Sequence, residues 1–230
     1  MNVESQTQQR RANPFFEEYK DIHHGDSAII FGSGPSLNEW IDNEYPGVIR
    51  AGVNELVFTP IVLDYYFSGD SQEVHRPGTF AKNKQAYYDY MPRIQKFIRK
   101  QTWGERGALP RDIANAVYYW CDLTNKPVKN IAAQPIGCCA SISFEVLQFL
   151  LFAGIKRVYL VGQDCSYSKG TFRSPTANDD FHLTCGNDML VDWQMIHDEW
   201  LPQNYPDVEI FSVRPVALKT FPEATQDEIR

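Results

Sequence analysis

Apolar residues in this chain fall mostly in short runs, each closed by a glycine or a small polar residue. Ser27 to Phe31 stops at Gly32, Val48 to Val53 at Asn54, Leu63 to Ser68 at Gly69 and Asp70, and Arg157 to Val161 at Gly162, Gln163 and Asp164. Such runs bounded by turn residues predict β-strands with both faces buried. Val208 to Val213 predicts a last strand. Helical patterns lie between them. Pro35 and Ser36 open a segment through Trp40, proline being suited to a first helical turn. Ser141 to Ala153 is apolar nearly all round and closed by Gly154, which predicts a buried helix. From Asn187 to Leu201, Met189, Leu190, Trp193, Ile196, Trp200 and Leu201 recur at helical spacing before Pro202, expected to stop the helix. Strands alternating with helices predict an α/β fold, a mostly parallel sheet with helices on both faces. Thr79 to Arg99, where aromatic residues mix with lysines around Pro92, fits no single element.

There is no internal repeat. Residues 1–14 read as a flexible polar tail and 15–230 as one domain. At 230 residues and 43% hydrophobic content, that domain can bury a core without disulfide or metal staples. Twenty-two Lys+Arg against 29 Asp+Glu leave a net charge of -7 and no dense basic run, so no nucleic-acid partner is expected. The most apolar stretch, Phe144 to Gly162, is interrupted by Lys156 and Arg157 and predicts no membrane span. The polar start carries no export signal, and the five cysteines (Cys121, Cys138, Cys139, Cys165, Cys185) are odd in number without a C-x-x-C; a reduced, cytoplasmic protein is expected. His182 with Cys185 supplies only half a zinc site.

The sharpest local signal is the run Gly32, Ser33, Gly34, Pro35, Ser36, Leu37. Two glycines at a strand-to-helix turn let backbone N–H groups approach an anion closely. The run is neither a dinucleotide fingerprint, since Leu37 stands at the third glycine position, nor a P-loop, since no G-K-[ST] follows. The plainer alternative is a tight turn whose glycines solve backbone geometry. Ser33, Asn54, Asp70 and Asp164 all fall at predicted strand ends, where open α/β sheets bind ligands, although Asn and Asp also cap turns there.

The order AIIFGSGPSL (Ala28 to Leu37), GVN (Gly52 to Asn54), YFSGD (Tyr66 to Asp70) and VYLVGQDCSY (Val158 to Tyr167) resembles the DUF115, or MptE-like, superfamily. That superfamily includes motility-associated factor glycosyltransferases and a pterin diphosphokinase, and is remotely similar to the family 42 bacterial sialyltransferases. The resemblance spans Gly25 to Tyr167 and implies a Rossmann-like nucleotide-binding domain. By this likeness Gly32 to Ser36, Asn54, Gly69, Asp70, Ser141, Gln163 and Asp164 hold a cytidine nucleotide or its sugar. Tyr167 would bind the leaving phosphate; a second tyrosine of the sialyltransferase pattern is absent, and Phe172 and Arg173 stand there, Arg173 being able to hold a phosphate. His182, in a polar loop before the next helix, would be the catalytic base.

The leading expectation is a glycosyltransferase moving a sialic-acid-like sugar from a CMP-activated donor to a glycan or protein hydroxyl, with no obligatory metal. The first alternative is diphosphate transfer from ATP to a pterin-like alcohol. It would need Mg²⁺ held by carboxylates, yet the acidic motif expected for it is replaced by Val53, Asn54 and Glu55. The second is a nucleotide-binding protein without catalysis.

Overall fold

A computed structural model describes residues 12–69, 90–100, 113–122, 126–166 and 180–230. In chain order the strands are β1 (Ser27–Phe31), β2 (Val48–Val53), β3 (Tyr65–Ser68), β4 (Gln95–Arg99), β5 (Ala116–Tyr119), β6 (Cys121–Asp122), β7 (Ile136–Gly137), β8 (Arg157–Val161), β9 (Glu209–Val213) and β10 (Glu223–Ala224). Eight of them form one sheet in the order β10, β9, β8, β1, β2, β3, β4, β5, while β6 and β7 pair separately. Every pairing is parallel. The chain builds outward from β1 to β5 on one side, then crosses to β8 on the other. The order in which strands are added therefore reverses between β1 and β8.

The alternation along each strand sorts its side chains into two cores. Ala28, Ile30, Val53, Phe67, Phe97 and Leu160 face helix α1 (Ser143–Phe152) and helix α2 (Asp180–Met195). Ile29, Phe31, Tyr66, Ile98 and Val161 face the other way, onto Leu37, Leu56, Val57 and Ile229. Among the described residues the second layer is made of 3₁₀ turns at Pro35–Glu39, Asn54–Phe58 and Gln226–Glu228. The segment after Pro35 is thus helical, as expected, but of the tighter kind.

Three expectations are corrected. Asn13, assigned to the tail, is fully buried: its side-chain amide donates to the Trp120 carbonyl (2.9 Å) and its Oδ1 accepts the Trp120 N–H (2.7 Å). Pro14 then opens a 3₁₀ helix to Tyr19. The loop expected to carry His182 is helical from Asp180 onward, so His182 lies in the first turn of α2. Pro202 does not stop the helix. A π-helical turn at Ile196–Trp200 shifts the hydrogen-bond register, and the chain continues as α3 (Leu201–Asn204) with Pro202 in its first turn, where the missing N–H costs little.

β4 was not foreseen. Lys96 is fully buried in it, and its ammonium donates to three carbonyls, those of Met91 (3.1 Å), Ile94 (3.3 Å) and Ala114 (3.1 Å). Burial pushes this lysine below its ordinary pKa. Charged residues in the run read as surface, and the three carbonyls are what make the core tolerable to one of them.

Candidate functional site

The carboxyl ends of β1, β2, β3, β4 and β8 converge with the N-terminus of α1 on one cavity of about 190 Å³. It is lined by Gly32–Gly34, Val53 and Asn54, Gly69, Arg99, Cys138–Ser143, Gly162–Ser166 and Met189. This is the place where an open parallel sheet offers a ligand site, the reversal of strand order between β1 and β8. Whole small-molecule pockets run to roughly 300–1,000 Å³, so the described walls bound less than a whole pocket of that kind.

The glycine turn has a structural task. The N–H groups of Gly32 and Gly34 donate to the carbonyls of Val161 and Gly162 (both 2.8 Å), and the Ser36 N–H donates to Asp164 Oδ2 (2.8 Å). The Ser36 hydroxyl donates to Asp164 Oδ1. A Cβ on Gly32 would stand 2.6 Å from the Gly162 carbonyl oxygen, and one on Gly34 2.7 Å from it. The glycines thus let the β1 turn lie against the β8 turn, where Gly162 itself adopts φ +65°. The expected cradle of backbone amides is committed within the protein, Ser33 being the exception in the run. Asp164 is buried at 4% exposure and serves as the acceptor that joins the two turns. Gln163 lines the cavity with its Nε2 sealed from solvent and without an acceptor among the described residues.

Asn54 occupies left-handed backbone, φ +43°, a conformation asparagine tolerates. Its Oδ1 accepts the Gly69 N–H (3.1 Å) and its carbonyl accepts the Tyr66 hydroxyl (2.6 Å), so it ties the end of β2 to the end of β3. The structure therefore gathers Gly32, Ser33, Gly34, Asn54, Gly69, Ser141, Gln163 and Asp164 around one cavity, with Ser36 bonded to its wall. Pro35 starts the adjoining 3₁₀ turn. Asp70, Tyr167 and Arg173 lie outside the described residues, as does the side chain of His182. Position 182 stands seven residues before Met189 in α2.

Sequence reasoning missed Arg99. At the end of β4 it is 4% exposed and grips the fully buried Glu145 of α1, its Nε donating to Oε2 (3.3 Å) and its Nη2 to Oε1. The Tyr119 hydroxyl donates to the same carboxylate. Burial alone would lower the guanidinium pKa, but the facing Glu145 raises it well above its ordinary value. Burial, then Glu145, pushes Tyr119 far up. Gly69 leaves room for this group, since a Cβ there would come within 2.9 Å of the Arg99 Cζ. A signal was present, an arginine closing an apolar pair (Phe97, Ile98), but nothing in the pattern named its partner.

At the head of α1 the Ala140 N–H donates to Asp192 Oδ2 (2.7 Å) and the Ser143 N–H to Ser141 Oγ (3.3 Å). The amides of Ser141 and Ile142 meet no acceptor among the described residues. The hydrogen bond to Cys121, then burial, raises Cys138, while burial raises Cys139 and pushes Cys165 up to about 12, so these thiols stay protonated. Among the described residues Cys121, Cys138 and Glu145 are close enough to hold a metal ion. Their fit is poor, because Glu145 already receives Arg99 and Tyr119 and a cation would face the guanidinium.

Fold and site together define a doubly wound parallel sheet with a polar cavity at its switch point. No family model and no curated protein matches the chain. Among solved structures it is similar to the sialyltransferase CstII from Campylobacter jejuni in complex with CMP-3FNeuAc, with a TM-score of 0.49 and 15% identity over 89% of this chain and 88% of that one. CstII with cytidine-5'-monophosphate gives a TM-score of 0.45 and 14% identity over 82% and 80%. No helix among the described residues is long and apolar enough to cross a membrane.

Proposed function

We propose that the chain is a glycosyltransferase that takes a CMP-activated, sialic-acid-like sugar at the switch point and passes the sugar to a hydroxyl of a glycan or protein. The observation that carries this reading is the polarity of the cavity. N–H donors of Ser141, Ile142 and Arg99 gather on its β4–α1 side and suit an anion such as a phosphate or carboxylate. The motif order from Ala28 to Tyr167 supplies the reaction class.

In the transfer the acceptor oxygen bonds to the anomeric carbon, the bond from that carbon to phosphate oxygen breaks, and CMP leaves with the electron pair. The acceptor proton passes to a base, for which His182 is the candidate, histidine being neutral and available near pH 7. Tyr167 and Arg173 would offset charge on the departing phosphate, so the reaction requires no metal.

The test is CMP release and sugar transfer from CMP-N-acetylneuraminate to a panel of glycan acceptors, with and without EDTA. Activity should survive EDTA. His182→Ala should lower kcat by roughly 10² to 10⁴ with CMP affinity nearly unchanged. Absence of CMP binding, or turnover of ATP and a hydroxymethylpterin that stops on chelation, would replace this reading with the diphosphokinase one.

A further inference from the structure

A buried arginine bonded side-on to a carboxylate commits only part of its fork. Arg99 gives Nε and Nη2 to Glu145, and its Nη1 meets no acceptor among the described residues. Arg99 also lines the cavity, beside Gly69 and Ile142. Ser141 and Ile142, whose amides are unanswered among the described residues, line the same cavity at the positive end of a ten-residue helix. Side-chain and backbone donors from two separate elements are thus left for one acceptor group.

We propose that Arg99 is the specificity-determining cation of this pocket. Its Nη1, with the amides of Ser141 and Ile142, receives a carboxylate or phosphate oxygen of the ligand, while Glu145 and Tyr119 hold the guanidinium in place. Arg99 acts by binding, and Glu145 is a positioning residue that also moderates the charge. The inference rests on the proposed function for its nucleotide probes.

Calorimetry with cytidine, CMP, CMP-3FNeuAc and inorganic pyrophosphate tests it on the wild type, Arg99→Lys and Glu145→Gln. Lysine keeps a cation beside Glu145 but loses the fork, so anionic probes should weaken about tenfold while cytidine is unchanged. Glu145→Gln keeps Arg99 and removes its neutralising charge, so the same probes should tighten. Opposite shifts are the signature, because a purely structural pair would give losses in both variants or none. A loss already seen with CMP assigns the phosphate; a loss confined to CMP-3FNeuAc assigns the sugar carboxylate. Arg99-dependent binding of pyrophosphate by a protein that ignores CMP would keep this assignment and remove the nucleotide-sugar reading. A folded Glu145→Gln protein whose affinity for every anionic probe is unchanged or lower overturns it, as does a wild type that binds none of them. Glu145→Gln alone decides the matter should Arg99→Lys fail to fold.

Discussion

The two sides of the cavity differ in what their polar groups are doing. On the β1–β8 side, the Gly32, Gly34 and Ser36 amides, the Ser36 hydroxyl and the Asp164 carboxylate bond to one another's turns. On the β4–α1 side, Arg99 and the amides of Ser141 and Ile142 keep donors that the described protein does not use. The first side carries the motif, with the Ser33 amide and Gln163 Nε2 left unanswered among the described residues, and the second carries the cation together with the free amides of a helix start. A glycine-rich strand end therefore signals close packing of two turns here, and the anion-seeking chemistry stands across the cavity from it.

The largest effect should come from breaking the β4–α1 side. Glu145→Leu leaves the Arg99 charge buried without a partner and should cost about 3–5 kcal/mol in denaturant unfolding. Replacing both partners, Arg99→Met with Glu145→Leu, should recover much of that loss. On the β1–β8 side, Gly34→Ala drives a Cβ to 2.7 Å from the Gly162 carbonyl oxygen and should cost roughly 1–3 kcal/mol. A stability loss for Gly34→Ala below a few tenths of a kcal/mol would mean the two turns are not locked together.

The smallest effect concerns Asp192, which accepts the Ala140 N–H at the head of α1. Burial, with help from Asp188, raises its carboxyl above the ordinary value. The folded state therefore prefers it protonated, and its contribution to stability is fully present below the unfolded pKa and lost as pH rises through the folded one. Asp192→Asn should gain up to ~2 °C in Tm near pH 7 and lose that gain near pH 3, read by calorimetric melts at both.

β1, β2 and β8 were legible to the residue, because strands buried on both faces read as unbroken apolar runs that end at glycine or asparagine. The residues at their ends line one cavity. β4 was illegible because Lys96 and Arg99 belong to the interior only through partners distant in sequence: the Ala114 carbonyl for one, Glu145 for the other. The same long-range dependence hid the role of the glycine run, since its amides are answered by residues about 128 positions further on, as Ser36 is by Asp164. Short β6 and β7 carry too few residues to form a pattern.

The central claim is that ligand donors lie at Arg99 and the head of α1 and not in the glycine turn. Amide ¹H–¹⁵N shifts during a CMP titration measure this directly. The account predicts saturable shifts largest at Ser141, Ile142 and the Arg99 side chain, with smaller ones at Gly32 and Gly34. Largest shifts at Gly32 and Gly34, with Ser141 and Ile142 unmoved at saturation, would contradict it.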